Sequence, residues 1–197
     1  HLIADLKPSI PEYCRVNRII RDIPSTHVVE GNKRTSLRQD VHIELKNRGQ
    51  ACRCIRCREV KTQQVDADRL ILKDLVYHPA LAEEHFLSFN TPDDRLAGYL
   101  RLSLPSPQAP KLGISDLDGA ALVREVHVYG QSLAVGTEKS GAAQHIGLGT
   151  HLLQEAERIS REHGYQRLAV IAAIGTRLYY ERRGFNRGEI YMIKTIK

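Results

Sequence analysis

The sequence predicts an α/β fold, in which strands and helices alternate behind a cysteine-bearing N-terminal segment. Short runs rich in Leu, Val, Phe and Tyr, separated by turn-like segments, begin near residue 70 and indicate β-strands. After a glycine turn at residues 147–149, a long stretch repeats its apolar residues with helical spacing. All four cysteines precede these elements. We therefore predict a basic, cysteine-bearing region at residues 1–61 and a separate α/β domain at residues 62–197.

Length and composition are those of a globular protein. A chain of 197 residues, 42% of them hydrophobic, is long enough to bury one substantial core. No apolar run approaches the roughly 18 to 20 residues of a membrane span, and no signal-peptide pattern opens the chain. We expect a soluble, cytoplasmic protein without a membrane partner. Because the chain begins at His1 rather than at a start methionine, we expect a fragment of a longer protein.

The net charge of +6 is concentrated at one end of the chain. Residues 1–61 carry 13 Lys and Arg against 7 Asp and Glu, while the remainder carries 16 of each. The excess indicates either a solvated basic face or a nucleic-acid surface held by phosphate contacts. The candidate RNA-binding residues are Arg15, Arg18, Arg21, Arg53, Arg56 and Arg58. The last three flank the cysteines and are predicted to project outward from a metal-fixed loop.

The four cysteines predict a metal site. Cys52, Cys54 and Cys57 form C-x-C-x-x-C, a spacing that lets three sulfurs converge on one ion more easily than it lets them form unstrained disulfides. Structural zinc takes four ligands, and Cys14 is the remaining thiol, so we predict a zinc knuckle with four thiolates. His42 in place of Cys14, free thiols and iron–sulfur ligation remain open alternatives.

Elements ahead of the glycine turn follow from periodicity and turn residues. A short helix or turn is predicted within residues 8–27, and a helix over residues 35–49, capped by Thr35 or Ser36 and ended by Gly49. Strands are predicted at residues 70–77, 85–90, 95–104 and 121–129. The second and third strands should form a hairpin with one buried face, and the proline-rich residues 105–119 should form a loop.

The strand at residues 121–129 carries two candidate acid–base residues. Strict alternation puts Val123, Glu125, His127 and Tyr129 on one face, and Leu122, Arg124, Val126 and Val128 on the other. A carboxylate and an imidazole on one face favour acid–base chemistry, although hydrogen bonding at a half-wet surface explains them equally well.

The glycine turn opens a predicted anion site. Gly147 and Gly149 leave the first helical N–H groups uncovered, where they can bind a negative group. The helix then buries one stripe and ends near Gly164. The stripe consists of Leu148, Leu152, Leu153, Ala156 and Ile159. A buried strand over residues 167–173, a short helix over 176–184 and a last strand over 186–197 complete the chain.

This order of elements resembles the GNAT superfamily of N-acetyltransferases over roughly residues 62–197. Its pyrophosphate motif Q-x-x-G-x-G is similar to Gln144, Gly147 and Gly149, and its YxxxGF segment to Tyr180, Gly184 and Phe185. The resemblance implies a mixed, mostly antiparallel sheet flanked by helices, and acetyl-CoA as the acyl donor.

The chain resembles one member family more closely, the catalytic subunit of Elongator. The similar segments are RVNRIIRDIPS at 15–25, REVHVYG at 124–130, QHIGLG at 144–149 and the pair Tyr179 and Tyr180. The resemblance implies an acetyltransferase domain and the linker that joins it to a radical S-adenosylmethionine domain, in a protein that modifies the wobble uridine of tRNA. No C-x-x-x-C-x-x-C is present, so S-adenosylmethionine and the 4Fe-4S cluster belong to a missing part. The four cysteines resemble those of archaeal and bacterial members of this family.

The resemblance also implies roles for individual residues. Tyr180 gives a proton to the departing thiolate, and Glu125 or His127 activates the nucleophile. The residues implied to bind acetyl-CoA are Val126, Val128, Gln144, His145, Ile146, Gly147, Leu148, Gly149, Thr150, Tyr179 and Tyr180. The expected reaction is tRNA-dependent hydrolysis of acetyl-CoA. A free-standing N-acetyltransferase acting on an amine and a non-catalytic RNA-binding module are the alternatives.

Overall fold

The computed structural model describes residues 1–19, 23–31, 33, 36–61, 63, 65–130 and 147–196. The chain forms two compact units, His1–Glu59 and Val60–Lys197. None of the helices in these ranges combines the length and the apolar character that crossing a membrane requires.

The first unit is built around the predicted helix. It contains α1 (Leu2–Leu6), α2 (Leu37–Asn47) and α3 (Ile55–Arg58). Val41 and Leu45 lie one turn apart on α2 and pack in one buried cluster with Ala4, Cys52 and Cys54. Gly49 follows α2 with φ +65°, a conformation that glycine adopts without strain and that ends the helix. Two of the four cysteines are thus part of this small core.

The sequence left open a short helix or a turn within residues 8–27. The described part of this stretch contains a turn, together with the short 3-10 segments Lys7–Ser9 and Ser25–His27, and no α-helix. Arg21 lies outside the described residues.

The described residues of the second unit form a seven-stranded sheet and two α-helices. The strands are β1 (Ile71–Tyr77), β2 (Ala82–Asn90), β3 (Leu96–Pro105), β4 (Ala120–Val128), β5 (Arg167–Val170), β6 (Asn186–Arg187) and β7 (Met192–Thr195), and the helices are α4 (Leu148–Glu162) and α5 (Arg177–Glu181). The strand order is β1-β2-β3-β4-β5-β7-β6. Only β4 and β5 pair in parallel among these strands; the rest pair antiparallel. The predicted mixed, mostly antiparallel sheet flanked by helices is confirmed.

Helix α4 covers one face of the sheet with the predicted stripe. Leu152, Leu153, Ala156 and Ile159 pack in the main core cluster with side chains of β2–β5 and β7, and Leu148 is buried as well. The helix ends at Glu162, and Gly164 (φ +84°) follows it as the predicted C-terminal glycine.

The β2–β3 hairpin has two buried faces, not the one predicted. Five consecutive residues of β2, from Glu84 to Ser88, are buried. Their polar members tolerate burial because each has a partner: Glu84 pairs with Arg124, His85 with Asp74, and Ser88 accepts a hydrogen bond from Asn90.

Two C-terminal strands also differ from the prediction. The apolar run at 167–173 is a strand only as far as Val170, and Ile171 beyond it is exposed. The predicted last strand is a tight hairpin, β6–β7, because the buried carboxylate of Asp116 accepts the backbone N–H groups of Ile190 and Tyr191 at its turn. Gly188 leaves room for that carboxylate, since a Cβ there would lie 2.2 Å from Asp116 Oδ1.

Candidate functional site

Strand β4 contains a β-bulge that changes which residues share a face. Arg101 pairs with Glu125 but Leu102 pairs with Val123, so Arg124 is an extra residue on β4. As a result, Val123 and Val126 both pack against the core beneath α4. The prediction that Val123 shares a face with Glu125 and His127 is wrong, because the bulge interrupts the alternation on which it depended.

The same region of β4 has an open edge. The parallel pairing of β4 with β5 ends at the pair Val123–Val170. Beyond it, residues 125–128 pair with β3 alone among the described strands. Within the described part of the chain, no strand covers the other edge of Val126 and Val128, an arrangement that suits an extended ligand.

The N-terminus of α4 is a second feature of this site. Gly147 precedes the helix with φ +72°, and no side chain in the described part of the chain caps it. Its carbonyl accepts the N–H groups of Thr150 and His151 at 2.8 and 3.0 Å, so the N–H groups ahead of them remain for a ligand. Gln144, His145 and Ile146, which were predicted to bind the cofactor, lie outside the described residues.

Gly149 brings α5 close to this helix end. A Cβ at Gly149 would lie 2.5 Å from the hydroxyl of Tyr179 and 3.7 Å from a methyl group of Val128. Glycine is therefore required for Tyr179 to reach the helix. Burial raises the pKa of Tyr179, which keeps its hydroxyl protonated.

Arg183 holds this contact in place and was not predicted from the sequence. Its guanidinium lies over the ring of Tyr179 at 3.5 Å from the centroid. It also donates to Thr150 Oγ1 at 2.7 and 3.0 Å and to the carbonyl of Tyr179 at 2.7 Å. The available signal was its spacing, four residues after Tyr179, which puts both on one side of a helical turn.

Tyr180 is buried in the core, whereas Tyr179 is only partly buried against it. It is 8% exposed and makes edge-on ring contacts with Tyr179 and Phe185. Burial raises its pKa to about 12, so the phenol is protonated at neutral pH and can act only as an acid. Gly184 (φ +84°) turns the chain so that Phe185 donates its N–H to the carbonyl of Tyr180.

Glu125 and His127 lie close together, but Glu125 is already engaged. Its carboxylate accepts hydrogen bonds from the Tyr99 hydroxyl and from Arg101 Nε, the latter at 3.0 Å. His127 stacks on the Tyr99 ring and is itself exposed. Burial and the neighbouring Glu125 raise the pKa of Tyr99. Glu125 is thus held by two partners, and His127 lies at the surface beside them.

Three of the four cysteines converge. The sulfurs of Cys52, Cys54 and Cys57 lie within 4.8 Å of one another. Hydrogen bonds from Cys52 and then Cys57 hold the pKa of the Cys54 thiol below its usual range. Cys14 meets the cluster through its backbone, since its carbonyl accepts the N–H of Ile55 at 2.9 Å. His42 approaches from the other side, with Nε2 at 3.7 Å from Cys57 Sγ. This set of donor atoms suits a metal ion that prefers thiolate ligands, such as zinc.

The arginines beside the cysteines are largely paired within the first unit. Arg58 is 5% exposed, and its guanidinium donates to the carbonyls of Arg53 and Glu12. The prediction that Arg58 projects outward is wrong, because this guanidinium satisfies backbone carbonyls from two segments of chain. Arg15 pairs with Glu59 at 3.3 Å.

The remaining arginines are more accessible. Arg53 and Arg56 are about half exposed while pairing with Glu12 and Glu59, and Arg18 is exposed. These three are the guanidinium groups that a phosphate can reach from solvent.

The open β4 edge, the glycine-led helix and the buried tyrosine together define a GNAT acetyltransferase. The model of the acetyltransferase (GNAT) family matches residues 50–185, and the chain belongs to that family.

Similarity to individual proteins extends over nearly the whole chain. The chain is 42% identical to the tRNA uridine(34) acetyltransferase of Dehalococcoides mccartyi, over 98% of this chain and 43% of that protein. It is 38% identical to Elongator complex protein 3 of Danio rerio, over 99% and 36% of the two chains. The solved structure of the archaeal Methanocaldococcus infernus Elp3 with an N-terminal deletion superimposes with a TM-score of 0.85 at 37% identity, covering 98% of this chain and 47% of that one. The chain thus spans less than half the length of these relatives.

Proposed function

We propose that this chain is the acetyltransferase portion of a tRNA wobble-uridine carboxymethylation enzyme, and that it hydrolyses acetyl-CoA when tRNA is bound. The observation that carries the proposal is the adjacency of the open β4 edge and the bare N-terminus of α4, since a Cβ built at Gly149 would lie 3.7 Å from a methyl group of Val128. The similarity to a tRNA uridine(34) acetyltransferase over 98% of the chain supports the choice of substrate.

The backbone supplies most of the binding energy in this proposal. The N–H groups of residues 147–149 stabilise the pyrophosphate, helped by the positive end of the α4 dipole. The free edge of Val126 and Val128 pairs with the amides of the pantetheine arm as a further strand would, and donates to the thioester carbonyl. Thr150, held by Arg183, and Tyr179 form the wall beside this path.

Tyr180 supplies the proton in the proposed reaction. A water molecule attacks the thioester carbon, the carbon–sulfur bond breaks, and the departing thiolate takes the phenolic proton, leaving acetate and coenzyme A. His127, and Glu125 through its hydrogen-bonded cluster, are the groups proposed to accept the proton of the attacking water.

Product analysis on the full-length protein tests this function. Acetyl-CoA labelled in the acetyl group is incubated with the protein, with and without tRNA and with and without amine acceptors. We expect labelled acetate that depends on tRNA. Labelled amine formed equally without tRNA would show an ordinary N-acetyltransferase, and failure to bind acetyl-CoA would show a non-catalytic module.

We also propose that residues 1–61 are a zinc-stabilised linker to the radical S-adenosylmethionine domain of the same protein. The convergence of Cys52, Cys54 and Cys57 supports a zinc ion there, which would tie α3 to the segment around Cys14. Cys14 is the fourth ligand in this proposal, and His42 is its competitor because of its approach to Cys57.

Zinc content separates the two candidates for the fourth ligand. We expect Cys14→Ser to lower the zinc affinity of the knuckle, while His42→Ala leaves it unchanged. The reverse result would assign the position to His42.

The linker is further proposed to bind tRNA through its accessible guanidinium groups, those of Arg18, Arg53 and Arg56, with Arg15 and Arg58 holding the loop in shape. Charge reversal of Arg53 and Arg56 is expected to weaken tRNA binding and to flatten its salt dependence. Unchanged tRNA affinity in that variant would remove this surface from the proposal.

A further inference from the structure

Three metal-ligating side chains meet at the C-terminal end of α4. Glu83 Oε1 lies 3.0 Å from Nε2 of His85 and 3.0 Å from Nε2 of His163, and all three ligand atoms lie within 4.8 Å of one another. Glu83 and His85 are two residues apart on β2 and so share a face of the sheet. His163 directly follows α4, which packs on that face.

The second nitrogen of each imidazole fixes its tautomer. Nδ1 of His163 faces the carbonyl oxygen of Ile159 at 2.8 Å, and Nδ1 of His85 faces Asp74 Oδ2 at 2.8 Å. Both partners are oxygen atoms that accept, so each Nδ1 carries the proton. In neutral rings, both Nε2 atoms then present lone pairs toward the carboxylate of Glu83. Such an arrangement requires positive charge, supplied either by a proton on an imidazole, which Asp74 and Glu83 favour by raising the pKa of His85, or by a bound cation.

We propose that Glu83, His85 and His163 form a binding site for a divalent transition metal ion, with zinc as the preferred occupant. Two imidazoles and a carboxylate are a common zinc donor set, and tetrahedral zinc with bonds near 2.0 to 2.1 Å separates its ligand atoms by about 3.3 Å. The carboxylate oxygen of Glu83 lies 3.0 Å from each Nε2, close to this value, and the two Nε2 atoms lie within 4.8 Å of each other. Three protein ligands leave a fourth position for water.

The surroundings are those of a metal site rather than of a chance contact. A ligating histidine usually donates its other N–H to a carboxylate or a backbone carbonyl. Here His85 donates to the carboxylate of Asp74, and His163 donates to the carbonyl of Ile159. The outer oxygen of Glu83, Oε2, lies 3.0 Å from Nε2 of His78, which fixes the orientation of the carboxylate. Both the ligands and the groups that orient them are therefore in place.

The position of the site indicates a clamp rather than a part of the acetyl-transfer centre. The ion would join β2 to the end of α4, with His85 buried (5% exposed) and His163 accessible from solvent (44% exposed). Helix α4 has 15 residues, so its two ends are about 22 Å apart. A cation at this end also complements the negative end of the helix dipole.

Cobalt binding to the full chain distinguishes this site from the cysteine cluster. Thiolate-bound cobalt(II) gives intense charge-transfer absorption in the near ultraviolet, whereas a site of two histidines and a glutamate gives only weaker visible bands. We expect one equivalent of bound cobalt without thiolate absorption. If every bound equivalent carries thiolate absorption, the proposal is overturned.

Substitution of the ligands provides an independent test that uses zinc itself. His163→Asn and Glu83→Gln are each expected to raise the dissociation constant of one of the bound zinc ions at least tenfold in isothermal titration. Zinc at that site should then no longer raise the melting temperature. His151→Asn, an exposed histidine on the same helix, is the matched control and should bind zinc as the unchanged chain does. Folded His163→Asn and Glu83→Gln chains that keep the full zinc stoichiometry would refute the site.

Discussion

The two ends of α4 are built for ligands of opposite charge. At the N-terminus, Gly147 and Gly149 remove side chains and leave backbone N–H groups facing the open edge of β4. At the C-terminus, His163 joins Glu83 and His85 in presenting lone pairs. The helix dipole favours an anion at the first end and a cation at the second. In our proposals, one helix serves two sites because its buried apolar stripe fixes both ends relative to the same sheet.

The largest effect is expected from Tyr180→Phe, which removes the proposed acid at the N-terminal end. Loss of a general acid typically costs about 10²- to 10⁴-fold in rate, and tRNA-dependent hydrolysis of acetyl-CoA should fall by that order while acetyl-CoA affinity changes little. Since the pKa of Tyr180 is raised to about 12, the phenol stays protonated below that pH, and Tyr180 should cause no loss of rate between about pH 7 and pH 9.

Tyr165→Phe is the matched control for that substitution. The Tyr165 hydroxyl donates to the carbonyl of Pro105, next to the C-terminal end of α4. Its loss should leave the hydrolysis rate within about twofold of the unchanged protein. Equal rates for Tyr180→Phe and Tyr165→Phe would show that Tyr180 is not the acid.

Gly149→Ala should follow in size. The added Cβ would meet the Tyr179 hydroxyl at 2.5 Å, so the clamped tyrosine must move. Overpacking of this kind costs about 1 to 3 kcal/mol, or roughly 5- to 150-fold in the dissociation constant of acetyl-CoA measured by calorimetry. Gly175→Ala is the control, because nothing lies within 4 Å of a Cβ built there. Zinc binding at the other end should not change in either variant.

Arg183→Gln should weaken acetyl-CoA binding more modestly. It removes the guanidinium that stacks on Tyr179 and bonds to Thr150, contacts that together contribute about 1 to 2 kcal/mol. The dissociation constant of acetyl-CoA is expected to rise roughly 5- to 30-fold. The neighbouring Arg182→Gln, an exposed position, should bind normally, and equal behaviour of the two variants would contradict a specific role for Arg183.

Glu157→Gln, in the middle of α4, should have the smallest effect. It breaks an ion pair with Lys194 at 2.8 Å at a partly exposed position, which typically contributes less than about 1 kcal/mol to the free energy of unfolding. Urea denaturation measures this change. Both acetyl-CoA and zinc affinities should stay unchanged, and a change in both would mean that the two ends of α4 are coupled through the helix.

Local patterns predicted much of the fold because those elements depend on local spacing. The stripe of α4, the helix around Val41 and Leu45, and the strands of the sheet follow from apolar residues at periods of 3.6 or 2. The pattern could not reveal the bulge at Arg124, since an extra residue in one strand shows only against its partner. Val123 and Glu125 were therefore wrongly assigned to the same face of the strand.

Long-range contacts account for the rest of what the sequence did not predict. Arg58 looks like any exposed arginine until Glu12, 46 positions upstream, accepts from its guanidinium. Glu83 and His85 alternate on a strand as many surface residues do, and His163 lies 78 positions after His85. An E-x-H pair on a strand was the only local signal of that site.

By itself, the sequence determined the class of fold, the glycine-led start of α4, the GNAT-like motif with Tyr180 and the spacing of the cysteines. Each of these features depends on residue types at short spacings along the chain. The tertiary structure alone decided which side chains meet. It engaged Glu125 with Tyr99 and Arg101, buried Arg58, brought Arg183 onto Tyr179, and joined Glu83 and His85 to His163. The physical reason is that these contacts depend on packing between elements that are distant along the chain, which no local period encodes.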